Sequence, residues 1–155
     1  MFSIRSGFTI VEAIITALIL GIVAGMVLDQ KQVVVKRNRE QELRRALIQI
    51  RSAIDKYREA VSQKIIIQDE SIPPYPPSLS ILVRGVKTVN EKTIYFLRRL
   101  PRDPFNNEPM EKDEETWNIR SSTSPPGEFS KGKDVYDVSS KSEEIGLNGI
   151  PYKDW

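Results

Sequence analysis

Cysteine and histidine are both absent from the 155-residue chain. That excludes thiolate and imidazole catalysis, a disulfide framework and nearly every zinc or transition-metal site. Among metals it leaves a hard cation held by oxygens. A glycine-rich phosphate-binding loop is also missing, so no nucleotide-driven chemistry is expected of this chain. Charge of one sign is scarce in excess: 23 Lys and Arg stand against 21 Asp and Glu, a net charge of +2. Such a balance indicates neither a nucleic-acid binder nor an acidic tail protein. Helix breakers are absent over one long interval, with no glycine or proline between Met26 and Ile72.

What the chain does contain is a long apolar run. From Phe8 to Leu28 the only ionisable side chain is Glu12. As a helix rising about 1.5 Å per residue, residues 8–28 are roughly 30 Å long, the thickness of a bilayer's hydrocarbon core. A membrane span is therefore expected there. Residues 1–7 form a short head with one cation, Arg5. The run is about twice the length of a signal-peptide apolar region and passes directly into a helical pattern, so cleavage beyond it is not expected. Glu12 needs compensation, because a carboxylate in hydrocarbon costs several kcal/mol unless it is protonated, paired or able to reach the interface. Snorkelling from one turn inside the run is the plain solution. Pairing with a cation is the functional one. Gly21 and Gly25 add a small-xxx-small spacing that permits close helix approach, a weak motif by itself.

Past Leu28 polarity rises, yet Leu43, Leu47, Ile50, Ile54, Tyr57 and Val61 recur at spacings of four and three. This predicts an amphipathic stem helix over residues 29–70 that buries one stripe and leaves Arg44, Arg45, Arg51 and Arg58 on other faces. The basic excess between Lys36 and Arg58 is interspersed with Glu40, Glu42 and Asp55 and lacks an aromatic cluster. It reads as a solvated helix face rather than a headgroup or nucleic-acid patch.

Four prolines between Ile72 and Ser78 end the stem. Ser78 is a candidate cap for a short helix bearing Leu79, Leu82 and Val83, closed by Gly85. Residues 93–100 form a further helical turn or an extended piece. Trp117-Asn118-Ile119-Arg120 and Val135-Tyr136-Asp137-Val138 alternate like half-buried strands, with a third short strand expected from the tail. The fold class is thus α+β, a long N-terminal helix packed on a small antiparallel sheet.

Gly7-Phe8-Thr9-Ile10-Val11-Glu12, with a basic head before it and an apolar run after it, resembles the class III signal of type IV pilins and of the pseudopilins of type II secretion systems. Leu100-Pro101-Arg102-Asp103-Pro104-Phe105 resembles the turn that follows the long helix in major pseudopilins. The tail from Asp137 to Trp155, with its closing tryptophan, is similar to their carboxyl-terminal loop. The resemblance implies a pilin-like fold: a leader at 1–7, a membrane and filament-core helix at 8–28, a stem at 29–70 and a periplasmic globular part at 71–155. It implies cleavage by a prepilin peptidase between Gly7 and Phe8, N-methylation of Phe8, and pairing of Glu12 with the terminal ammonium of Phe8 in its own chain or in a neighbouring subunit.

The same resemblance implies a non-catalytic subunit of a periplasmic pseudopilus that drives type II protein secretion from the inner membrane. Its partners would be further copies of itself, minor pseudopilins, the peptidase, and an inner-membrane assembly platform with its ATPase; no nucleic acid is expected. Charge counting near the span, Arg5 against Lys31, Lys36, Arg37 and Arg39, points to the opposite orientation. The signal must face a cytoplasmic-side peptidase, however, and large domains translocate largely regardless of charge. Many relatives hold calcium in the tail loop. The candidate ligands here are Asp137, Glu143, Glu144 and Asn148, although the aspartate-glycine-rich run of those relatives is missing. Inward packing of Leu147, Tyr152 and Trp155 is the alternative way of holding that loop. Asp29 stands where many relatives have a proline. Alternatives are a type IV pilus subunit, against which the absence of cysteine weighs, and a monomeric membrane-tethered binding protein.

Overall fold

A computed structural model describes residues 8–69, 72–106, 112–130 and 132–155, with backbone alone for 25–31. Helix α1 is Ile10–Ser62, 53 residues long. The chain divides into two compact units, residues 1–38 and residues 39–155.

From Ile10 onward the described part of the first unit is helix. Its apolar side chains have no core to enter: Ile10, Val11, Ile14, Ile15, Leu18, Ile19, Leu20, Ile22 and Val23 are all exposed. Among the described residues no helix is long and apolar enough to cross a membrane. The expected span at 8–28 runs into side chains 25–31, and the expected leader at 1–7 likewise lies outside the described residues.

In the second unit the expected stripe is the core. Leu43 and Ile50 are fully buried, Ile54, Leu47 and Tyr57 nearly so, and Ala46, Ala53 and Ala60 fill the positions beside them where a larger side chain would hold the domain off the helix. Burial of each Leu or Ile contributes about 1.5–3 kcal/mol. The helix ends at Ser62 and not near residue 70. Lys64 takes a left-handed conformation (φ 56), and the amides of Ile65 and Ile66 turn back onto the carbonyl of Ala60. Ile66, the first buried residue after that turn, then joins the core.

Helix α2 (Leu79–Arg84) sits where the sequence places it and closes at Gly85, whose φ of 82 suits a residue without Cβ. Ser78 is the N-cap residue but makes no capping bond with its side chain; its hydroxyl lies 2.9 Å from that of Ser80. Strands β1 (Val86–Lys87) and β2 (Thr93–Ile94) form an antiparallel hairpin. Strands β3 (Trp117–Arg120) and β4 (Asp137–Ser140) form a second, with Trp117 opposite Ser140 and Arg120 opposite Asp137. The fold is therefore α+β, with two two-stranded sheets instead of one. Strand β4 starts two residues later than the alternation predicts, because the amide of Val135 is drawn to the carbonyl of Pro76 in the proline-rich segment (2.8 Å). The tail supplies an isolated bridge, Ile145 to Pro151, in place of the expected third strand.

Candidate functional site

The residues singled out by the sequence fall in three places. The first is the start of α1. Gly7, on the amino side of the expected cleavage, lies outside the described residues; Phe8 is 72% exposed. Thr9 caps the helix: its hydroxyl accepts from the amide of Glu12 (3.3 Å) and its carbonyl from that of Ala13 (3.1 Å). Glu12 is exposed in the first turn, where the unpaired amides and the helix dipole favour a negative charge. Its carbonyl accepts from the Thr16 hydroxyl (2.6 Å). Thr9-x-x-Glu12 has the spacing of a capping box. That signal was legible beside the apolar run and gives Glu12 a local reason for its position that the run alone does not.

The second place is the turn at 100–105. Asp103 is 1% exposed. Its Oδ1 accepts from the amide of Phe105 (2.9 Å) and its Oδ2 from the Ser140 hydroxyl (2.6 Å), while its own amide donates to Thr116 Oγ1 (3.3 Å). Beside it, Trp117 Nε1 donates to the carbonyl of Pro101 (2.9 Å). The proline-flanked turn is thus bolted to β3 and β4 by one carboxylate and one indole. Phe105 stacks on Tyr152 with ring centres 3.9 Å apart, and Tyr152 meets Trp155 edge-on at 5.1 Å.

The third place is the tail loop, fixed to the stem by two charged side chains. Glu40, 6% exposed, accepts with Oε1 from the amide of Leu147 (2.6 Å) and from the Tyr152 hydroxyl (3.0 Å). Burial, the bond to Glu40 and the charges of Glu40 and Glu144 push the Tyr152 phenol well above its usual range. Arg51 donates Nε to Asp137 Oδ1 (2.8 Å) and Nη2 to the carbonyl oxygens of Val138 (3.0 Å) and Trp155 (2.8 Å). The Arg44 guanidinium lies 4.5 Å from the centre of the Trp155 ring. Arg51 therefore faces the domain, contrary to the solvated position expected for it, because Asp137 and two carbonyls offer it a matched set of acceptors. Tyr152 is buried and Trp155 half-buried as expected, but Leu147 is 46% exposed. It contributes its amide to the clamp and not its side chain.

The calcium candidates are not brought together. Asp137 is taken by Arg51, Glu143 faces Lys153 at 3.4 Å, and Asn148 Oδ1 accepts from the amide of Ile150 (3.1 Å). Glu144 uses its carbonyl to hold the Tyr152 amide. Among the described residues no group of three or more acidic side chains is placed to hold a metal ion. This donor set does not fit calcium, which requires six to eight converging oxygens.

Glu40 was missed by the sequence reading. It continues the stripe in register, three residues before Leu43 and seven before Leu47, and a carboxylate at an apolar position of a stem is the signal that finds it. No protein-family model, curated protein or solved structure matches the chain.

Proposed function

We propose that this chain is a pilin-like filament subunit, closest to the major pseudopilin of a type II secretion system, anchored in the inner membrane by residues 8–28 with its globular part in the periplasm. The observation that carries this reading is the first unit: a helix whose apolar side chains from Ile10 to Val23 are all exposed, with Glu12 its single described carboxylate. A helix hydrophobic all round requires a lipid or protein environment. A bundle of identical helices supplies one, and the ammonium of a processed Phe8 in a neighbouring copy would pair with Glu12.

The second unit is consistent with the same reading, since among the described residues its buried carboxylates are engaged within the fold. The buried carboxylates of Glu40, Asp103 and Asp134 all accept hydrogen bonds from neighbours within the fold. They hold loops. In this reading the Asp103 turn and the Glu40 and Arg51 clamps keep the globular part rigid as it is carried along a growing filament.

Two measurements test the proposal. Mass spectrometry of the mature protein is expected to show an N-methylated Phe8 amino terminus; an intact Met1 overturns processing. Glu12→Ala is expected to abolish filaments while membrane insertion persists, and a variant that still assembles at the wild-type level removes the filament reading.

A further inference from the structure

The second unit's stretch of stem carries charge on two opposite flanks of its buried stripe. At about 100° per residue, Arg39, Glu42, Arg45 and Gln49 lie roughly half a turn away from Glu40, Arg44 and Arg51. The latter set holds the tail loop. The former, together with the turn at 99–104, walls an open groove of about 670 Å³. Within it Asp103 is spent on Phe105 and Ser140, and Asp113 lies 3.6 Å from Arg102. Arg39, Arg45 and Arg99 have no ion pair among the described residues, and Glu42 is the one remaining carboxylate facing them. Three guanidiniums collected in one concavity repel one another unless an anion enters.

The tail flank offers the complementary charge. Glu143 is 82% exposed at its side chain, with only a 3.4 Å approach from Lys153. Glu144 is exposed, and its carboxylate has no ion pair among the described residues. We infer that the basic groove of one copy receives the Glu143-Glu144 segment of a second copy. Arg45 and Arg99, with planar forks suited to carboxylates, are the principal receivers. Because donor and acceptor occupy opposite flanks, the contact is head-to-tail. A contact of that kind repeats, into an open filament where its rotation does not close a ring, whereas a self-complementary patch stops at a dimer. The inference rests on the filament reading above and gives it a specific lateral contact outside the apolar helix.

The natural chain has no cysteine, so a chain carrying both Gln49→Cys and Ile145→Cys reports this contact cleanly. Treated in membranes with a short bismaleimide, it is expected to give a ladder of dimer, trimer and higher adducts, with neither single-cysteine chain doing so. Arg45→Glu with Arg99→Glu is expected to lower filament yield roughly tenfold, as is Glu143→Arg with Glu144→Arg; the four together are expected to restore it. Adducts that stop at the dimer, adducts to a different polypeptide, or no adducts in cells with intact filaments overturn the groove contact and leave the filament reading standing. An absence of filaments from the natural chain itself removes both.

Discussion

Tyr152 donates its hydroxyl to Glu40 Oε1 across 112 residues of chain, and the ring of Tyr152 is fully buried while Glu40 is 6% exposed. Since Glu40 also takes the amide of Leu147, one carboxylate satisfies two donors that the tail could not otherwise bury. Glu40→Ala orphans both, and leaving a buried donor unpaired costs about 1–3 kcal/mol. Glu40→Gln keeps an acceptor, so about 1 kcal/mol or less is expected for it. Urea unfolding of the detergent-solubilised chain measures the difference; equal losses for Ala and Gln would show that volume, not hydrogen bonding, is what Glu40 supplies.

The same pair sets an alkaline limit. The phenol of Tyr152 is raised above its ordinary value of 10.0, first by burial and then by Glu40. In the unfolded chain it therefore releases its proton at lower pH than in the folded one. Its contribution to stability is intact below about pH 10 and is lost as pH climbs from there toward the folded value. Tyr57, raised by burial, acts in the same direction. Tyr152→Phe should consequently flatten the fall of stability above about pH 10 without removing it. A pH series of unfolding midpoints checks this, and identical slopes for the natural chain and the Tyr152→Phe variant would contradict it.

How much of this was legible depends on range. The stripe Leu43, Leu47, Ile50, Ile54 and Tyr57 was readable because helical periodicity is a local signal, but the break at Ser62 was not, since it is made by the turn at Lys64 and comes before the prolines. Gly85 was readable as a stop for α2 because positive φ is a property of the residue itself. What else escaped reading is set at long range. The two-residue displacement of β4 comes from Pro76 holding Val135, and the inward turn of Arg51 comes from acceptors 86 or more residues away. The β1 and β2 hairpin is too short for alternation to register. Of the expected site, Phe8 and Glu12 were marked by the apolar run that contains them; the turn around Asp103 was marked by its prolines, as a turn and not as a site. Glu40 was visible only as a charge in an apolar register.

Arg51 holds the start of β4 and the tail through three bonds from one planar group. Lysine has a single ammonium and cannot reproduce that fork. Arg51→Lys is expected to cost about 1–2 kcal/mol and Arg51→Ala about 2–3 kcal/mol, since hydrogen bonds to charged groups contribute about 1.5–3 kcal/mol and this one is partly exposed. Because Asp137 is already neutralised by this guanidinium, chelation is expected to leave the melting temperature unchanged. A drop with EGTA that calcium reverses would show that the tail opens to admit an ion, and would return Asp137, Glu143, Glu144 and Asn148 to the role of ligands.

In the proposed filament Glu12 would have two tasks that chemistry can separate. As the third residue of α1, its amide is held by the Thr9 hydroxyl, and either Glu or Gln serves at that position of a capping box. As the proposed partner of a neighbour's ammonium it would have to carry charge. Glu12→Gln preserves the first task and removes the second, so it is expected to leave the first turn protected in amide exchange while filament yield collapses. Thr9→Val does the reverse: it removes the hydroxyl acceptor at nearly constant volume, costs about 0.5–2 kcal/mol locally, and should fray the first turn with a smaller loss of assembly; Thr9→Ser should behave like the natural chain. If Glu12→Gln assembles normally and Thr9→Val does not, position 12 contributes its capped amide and not a charge, and subunit register must be sought in the charged flanks of the stem.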